Sequence, residues 1–137
     1  MRLEQMVWAR RMTCALTLIM SFAIAAEPIP IIFDTDIGND VDDAMALALI
    51  HELMDRDEVE LLAVTISKDN PWAAVYTDVI NTFYGRSDIP IGRVVDGKIP
   101  QPINFIRPIS ERTENGTLVY PRDVGPDTEL PEAVSLM

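Results

Sequence analysis

Short apolar runs alternate with longer amphipathic stretches along the chain, and that alternation predicts an α/β fold. Ile31-Ile32-Phe33 is an apolar run set between Pro30 and Asp34, the pattern of a short strand buried on both faces. From Val41 the period changes. Ala44, Leu47, Ala48, Leu49, Ile50, Leu53 and Met54 line up at helical spacing and predict a helix over 41–54. Glu60 to Ile66 returns to a buried-strand pattern. Ser67-Lys68-Asp69-Asn70-Pro71 is a loop, its proline suited to the first position of a following helix. Trp72 to Tyr84 reads as an amphipathic helix ended by Gly85, with Trp72, Tyr76, Phe83 and Tyr84 as core contributors. Ile89-Pro90-Ile91 is a third strand candidate. Strands and helices alternating at this spacing imply right-handed βαβ units. The expected architecture is an open, mostly parallel, Rossmann-like sheet with flanking helices.

Past Gly92 the periodicity fades. Residues 98–125 are rich in proline and polar side chains and predict an excursion over the surface. Asn115-Gly116-Thr117 spells a glycosylation sequon, but a turn is the better reading. Pro131 to Met137 resembles the first turn of a helix. No internal repeat is present.

The N-terminus changes the domain count. Arg10 and Arg11 precede the apolar run Thr13 to Ile24, and Ala23-Ile24-Ala25 fits a small-residue cleavage site. Residues 1–25 therefore read as a secretory signal peptide and 26–137 as the domain. A run this short falls below the roughly 20 apolar residues that span a bilayer. Export to the periplasm or the extracellular space is the expectation. After cleavage, eight basic and 21 acidic residues remain, a net charge of −13 with the single histidine neutral. So acidic a surface argues against nucleic acid and anionic membranes as partners. The sole cysteine, Cys14, lies in the leader, which removes disulfide and thiolate chemistry from the mature chain.

Candidate chemistry concentrates in one place. Asp34, Asp36, Asp40, Asp42 and Asp43 fall within ten residues, directly after the first predicted strand. In open parallel sheets ligands bind beyond the carboxyl ends of the strands. Asp69 and Asn70, after the second strand, reach the same edge. Such crowding of carboxylates suits a hard divalent cation, for which carboxylate oxygens are the preferred ligands. Taken singly, Asp40 is a good N-cap, and Asp42 and Asp43 complement a helix dipole. An EF-hand is excluded, because Gly38 and Met45 stand in the wrong loop positions. Asp34-Thr35-Asp36 also matches the start of the haloacid-dehalogenase-like phosphatase motif, though Gly38 stands where that motif has threonine or valine. His51 lies about 12 Å along the helix from the motif, too far for a general acid, and reads as a partly exposed helix-face residue. Lys68 reads as a solvated loop charge.

The stretch from Asp34 to Leu47, D-T-D-I-G-N-D-V-D-D-A-M-A-L, closely resembles the N-terminal signature of the inosine–uridine-preferring nucleoside hydrolases. Leu61 to Ile66 with Asn70 is similar to that family's second strand and site asparagine, and Gly85 to Ile91 to its G-R-x-D-I-P-V segment. The likeness spans residues 29–92. It implies a Ca²⁺-dependent hydrolase that cleaves the N-glycosidic bond of a small-molecule ribonucleoside. Carried over by position, Asp36 and Asp43 would ligate Ca²⁺, Asp36 would also be the general base, Asp42 and Asn70 would bind substrate, and Asp34 would support the loop. Family members are typically more than twice as long and can be homo-oligomers. The resemblance therefore implies an N-terminal portion with an incomplete sheet and an incomplete ligand set. The alternatives are a non-catalytic cation- or ribose-binding remnant, and the phosphatase.

Overall fold

The computed structural model describes residues 26–94 and 103–137. The leader reading of residues 1–25, including Cys14, lies outside them, as do residues 95–102 of the polar excursion. Strands β1 (Ile29–Thr35), β2 (Val59–Ile66) and β3 (Ile91–Arg93) form one parallel sheet in the order β1-β2-β3. Helix α1 (Asp42–Met54) joins β1 to β2, and α2 (Pro71–Phe83) joins β2 to β3. The fold is α/β, with a parallel sheet and flanking helices, as the periodicity predicts. The third strand begins after Pro90, not at Ile89. Proline has no N–H to give the ladder, and Pro90 contributes only its carbonyl, which accepts from Val64 N at 2.9 Å.

The core lies between the sheet and the two long helices. Leu61, Val64, Ile66 and Ile91 pack there with Leu47, Ala73, Ala74 and Tyr76, and Ile31 and Phe33 join from β1. Burial on both faces of β1 does not hold. This strand is at the sheet edge, and Ile29 and Ile32 are exposed at 64% and 37%. Two further apolar residues predicted inside are outside: Leu49 is 59% and Phe83 71% exposed. Each continues an apolar run beyond the arc of helix that touches the sheet.

Residues beyond Gly92 are integrated more deeply than a surface excursion. Helix α3 (Ile106–Ser110) buries Ile106 and Ser110 completely or nearly so. Arg107 stacks its guanidinium 4.9 Å over Trp72 of α2, and Phe105 packs edge-on against Tyr76. The hairpin β4 (Thr113–Glu114) and β5 (Thr117–Leu118) turns through Asn115 and Gly116, both with positive φ. A turn there is what the sequence suggests. Asp78, buried on α2, accepts from Asp123 N at 2.7 Å and Val124 N at 2.8 Å, tying the later segment down. Helix α4 (Ala133–Leu136) closes on β3, and a Cβ on Gly92 would come within 3.0 Å of Ala133 Cα. Among the described residues no helix is long and apolar enough to cross a membrane.

His51 is fully buried, not partly exposed. It bridges the two long helices. Nε2 donates to Asn81 Oδ1 at 2.9 Å, Nδ1 accepts from Arg86 at 3.4 Å, and the ring stacks 4.5 Å from Tyr84. Arg86 is held in turn by Asp55. These partners fix a neutral tautomer. Burial pushes the His51 pKa below its ordinary 6.5, and the Arg86 charge adds to the effect. The sign for stability follows. The unfolded chain binds a proton below about pH 6.5 and the folded chain resists it, so stability is retained above that pH and lost below it. The melting temperature should fall as pH drops from 6.5 toward the depressed folded value, with a slope of at most about 1.4 kcal/mol per pH unit from this group. His51→Gln should remove that part of the slope, and equal slopes in both proteins would contradict a neutral buried His51. Separately, Asp78→Ala strips two backbone donors of their acceptor and should cost about 3 kcal/mol, measured by urea unfolding.

Candidate functional site at the carboxyl edge of the sheet

Parallel pairing sets Asp34 beside Thr65 and Thr35 beside Ile66, so the loops after β1 and β2 leave the sheet at the same edge. Ser67 sews them together: its N–H and its hydroxyl both donate to Thr35 O, at 3.0 and 3.2 Å. Asp34 accepts from Thr65 Oγ1 at 2.7 Å, which commits one of its oxygens to the strand pair. Asp69, after β2, lies 3.9 Å from Arg93 at the end of β3. All three strands thus contribute to one polar rim.

The loop from Asp36 to Val41 is anchored from below. Ile37 is fully buried, and its N–H donates to Thr35 Oγ1 at 3.1 Å. Gly38 takes φ +130°, where any side chain is strained, and a Cβ would stand 2.8 Å from Ile106 Cδ1. Asn104 fastens the loop through two hydrogen bonds, from its N–H to Gly38 O at 3.0 Å and from its amide to Asn39 O at 2.7 Å. The segment 103–106, read from sequence as surface excursion, is therefore the floor of the aspartate loop.

Three carboxylates meet above that floor. Oxygens of Asp40, Asp42 and Asp43 all lie within 4.8 Å of one another. Asp42 and Asp43 occupy the first turn of α1, as predicted, but Asp40 is not its cap. The cap is Val41, with no side-chain bond, and Asp40 is instead hydrogen-bonded to Asp42. That contact raises the Asp40 pKa and lowers that of Asp42. Asp43 is raised, first by burial and then by the charges of Asp36 and Asp42, against a hydrogen bond from Thr35 and the attraction of Lys68. Asp36 is exposed, and its charge is felt at Asp43. The donor set is all oxygen, which fits a hard cation such as Ca²⁺ or Mg²⁺.

Asn70 caps α2, with Oδ1 accepting from Trp72 N at 3.0 Å. The Asn-Pro step at a helix start is the sequence signal for that role. Two site residues escape a reading by residue type. Thr35, buried, joins the β1 strand end to Asp43 and Ile37. Lys68 is fully buried, not solvated, and its Nζ has no hydrogen-bond partner among the described residues. A separate apolar cavity of about 290 Å³ between α1 and α2, lined in part by Ala48, Tyr76, Phe83 and Tyr120, includes none of the aspartates.

Compared with protein-family models, curated proteins and solved structures, the chain matches none.

The loop geometry has a direct test. Gly38→Ala should cost about 1–3 kcal/mol in urea unfolding, because φ itself is strained. Adding Ile106→Val relieves only the side-chain contact, so the double variant should not recover. Full recovery would assign the cost to the contact alone.

Proposed function

We propose that the carboxyl edge of this sheet is a nucleoside-hydrolase-type site, acting on the N-glycosidic bond of a ribonucleoside. The observation that carries this reading is the motif from Asp34 to Leu47. Its position supports it: the aspartates begin at the end of a parallel strand and finish in the first turn of the next helix. In this reading the finer fold is the N-terminal, Rossmann-like part of that family's sheet.

Asp36 and Asp43 would hold Ca²⁺; Asp40 lies within 4.8 Å of Asp43 and could join that ligand, whereas Asp36 stands outside the Asp40, Asp42 and Asp43 cluster. When bound, the ion supplies positive charge that acidifies water and orients the sugar. Two or three carboxylates fall short of the six to eight oxygens Ca²⁺ takes, so water or further groups complete its shell. Asp36, exposed on the rim, takes the proton of the attacking water. Asp42, whose charged form is favoured by its bond to Asp40, accepts from a ribose hydroxyl. Asn70 belongs to the same wall through its amide. Asp34 braces the loop through Thr65. As the glycosidic bond breaks, positive charge develops on the sugar, and the crowded carboxylates stabilise it.

The test is release of free base from inosine, or of p-nitrophenol from its riboside, by the full chain with CaCl₂. Asp36→Ala should lower any such turnover by about 100-fold or more. Turnover that survives this substitution would refute the assignment. Phosphate release from p-nitrophenyl phosphate with Mg²⁺, lost in Asp34→Asn, would favour the phosphatase. Ribose binding without turnover would favour the non-catalytic remnant.

A further inference from the structure

We propose that Lys68 is a ligand-binding residue of this site, its ammonium donating to a hydroxyl oxygen of a neutral vicinal diol. The proposal deepens the sugar-binding reading above and rests on it. Lys68 directly follows Ser67, which is bonded twice to Thr35, so its backbone is held against the aspartate loop. The side chain is fully buried and Nζ lacks a hydrogen-bond partner among the described residues. Its charge is felt at Asp43, yet Nζ has no hydrogen-bond partner there among the described residues. A buried ammonium with unused donors destabilises the fold that carries it. Such a group is explained if an acceptor arrives with the ligand.

Charge selects the acceptor. A phosphate would face Asp36, Asp42 and Asp43 across the same rim and be repelled. A cation cannot accept from the ammonium, so Ca²⁺ at Asp36 and Asp43 would still leave the Lys68 protons unused. A hydroxyl is neutral, and each one both accepts and donates. A vicinal diol can accept a hydrogen bond from Lys68 while donating one of its own to the Asp42 carboxylate.

The experiment compares the full chain with Lys68→Met and Lys68→Gln. Each is checked for folding by far-ultraviolet circular dichroism. Binding of D-ribose and 2-deoxy-D-ribose is titrated calorimetrically at saturating CaCl₂. The wild type should prefer ribose. Lys68→Met should weaken ribose binding about tenfold or more, and Lys68→Gln, which keeps a donor, should fall between. Without sugar, Lys68→Met should melt at a higher temperature, because an unpaired buried charge has been removed. A ribose affinity unchanged in Lys68→Met, a lower melting temperature in that variant, or no ribose binding by the wild type overturns the proposal. Lys68-dependent ribose binding without cleavage of inosine leaves it standing while the hydrolase reading fails. Cleavage with an unchanged KM in Lys68→Met does the reverse.

Discussion

Parallel pairing of β1 with β2 is the constraint on which the rest depends. Because the strands run the same way, both carboxyl ends open on one edge, and the loops that follow must meet there. An antiparallel pair would put them at opposite ends. The register sets Thr35 beside Ile66, and Ser67 then fixes the two loops to each other through Thr35 O. Everything polar at this edge is placed by that junction. Asp36, Asp40, Asp42 and Asp43 arrive from one side of it, and Lys68 and Asn70 from the other.

Crowding five aspartates at one edge raises a second problem, mutual repulsion, and several devices offset it. Asp34 is turned into the strand pair by Thr65. Asp40 and Asp42 shift each other's pKa in opposite directions, Asp40 up and Asp42 down. Asp42 and Asp43 sit at the positive end of the α1 dipole. Asp43 has a hydrogen bond from Thr35. The loop itself is held by Ile37 in the core and by Gly38 pressed against Ile106. That arrangement anchors the base of the rim in the core while Asp36, Asp40 and Asp42 stay exposed.

The long elements were legible because helix and strand periods differ and both are strong here. The loop from Asp34 to Asp43 stood out as a candidate site because no simple structural role uses all five acids. What misled was environment. His51 and Lys68 carry charge-bearing groups and so read as solvent-facing, yet both are fully buried. His51 is satisfied by Asn81 and Arg86, which lie 30 and 35 residues away in sequence. Residues 103–106 read as surface for want of periodicity. Four residues are too few to show a period, and their burial comes from packing under a loop some 65 residues earlier. Leu49 and Phe83 erred the other way, since apolar character alone does not say which arc of a helix meets the sheet.

By itself, the sequence determined the element order, the α/β class and the place where polar chemistry gathers, because periodicity, turn residues and local charge density are properties of neighbouring residues. Tertiary structure decided which aspartates meet, that Val41 rather than Asp40 caps the helix, that the later segment floors the loop, and that Lys68 lies buried. Each of these depends on contacts between residues distant in the chain. Burial, hydrogen-bond partners and the sign of a pKa shift are set by such contacts, and no local pattern encodes them.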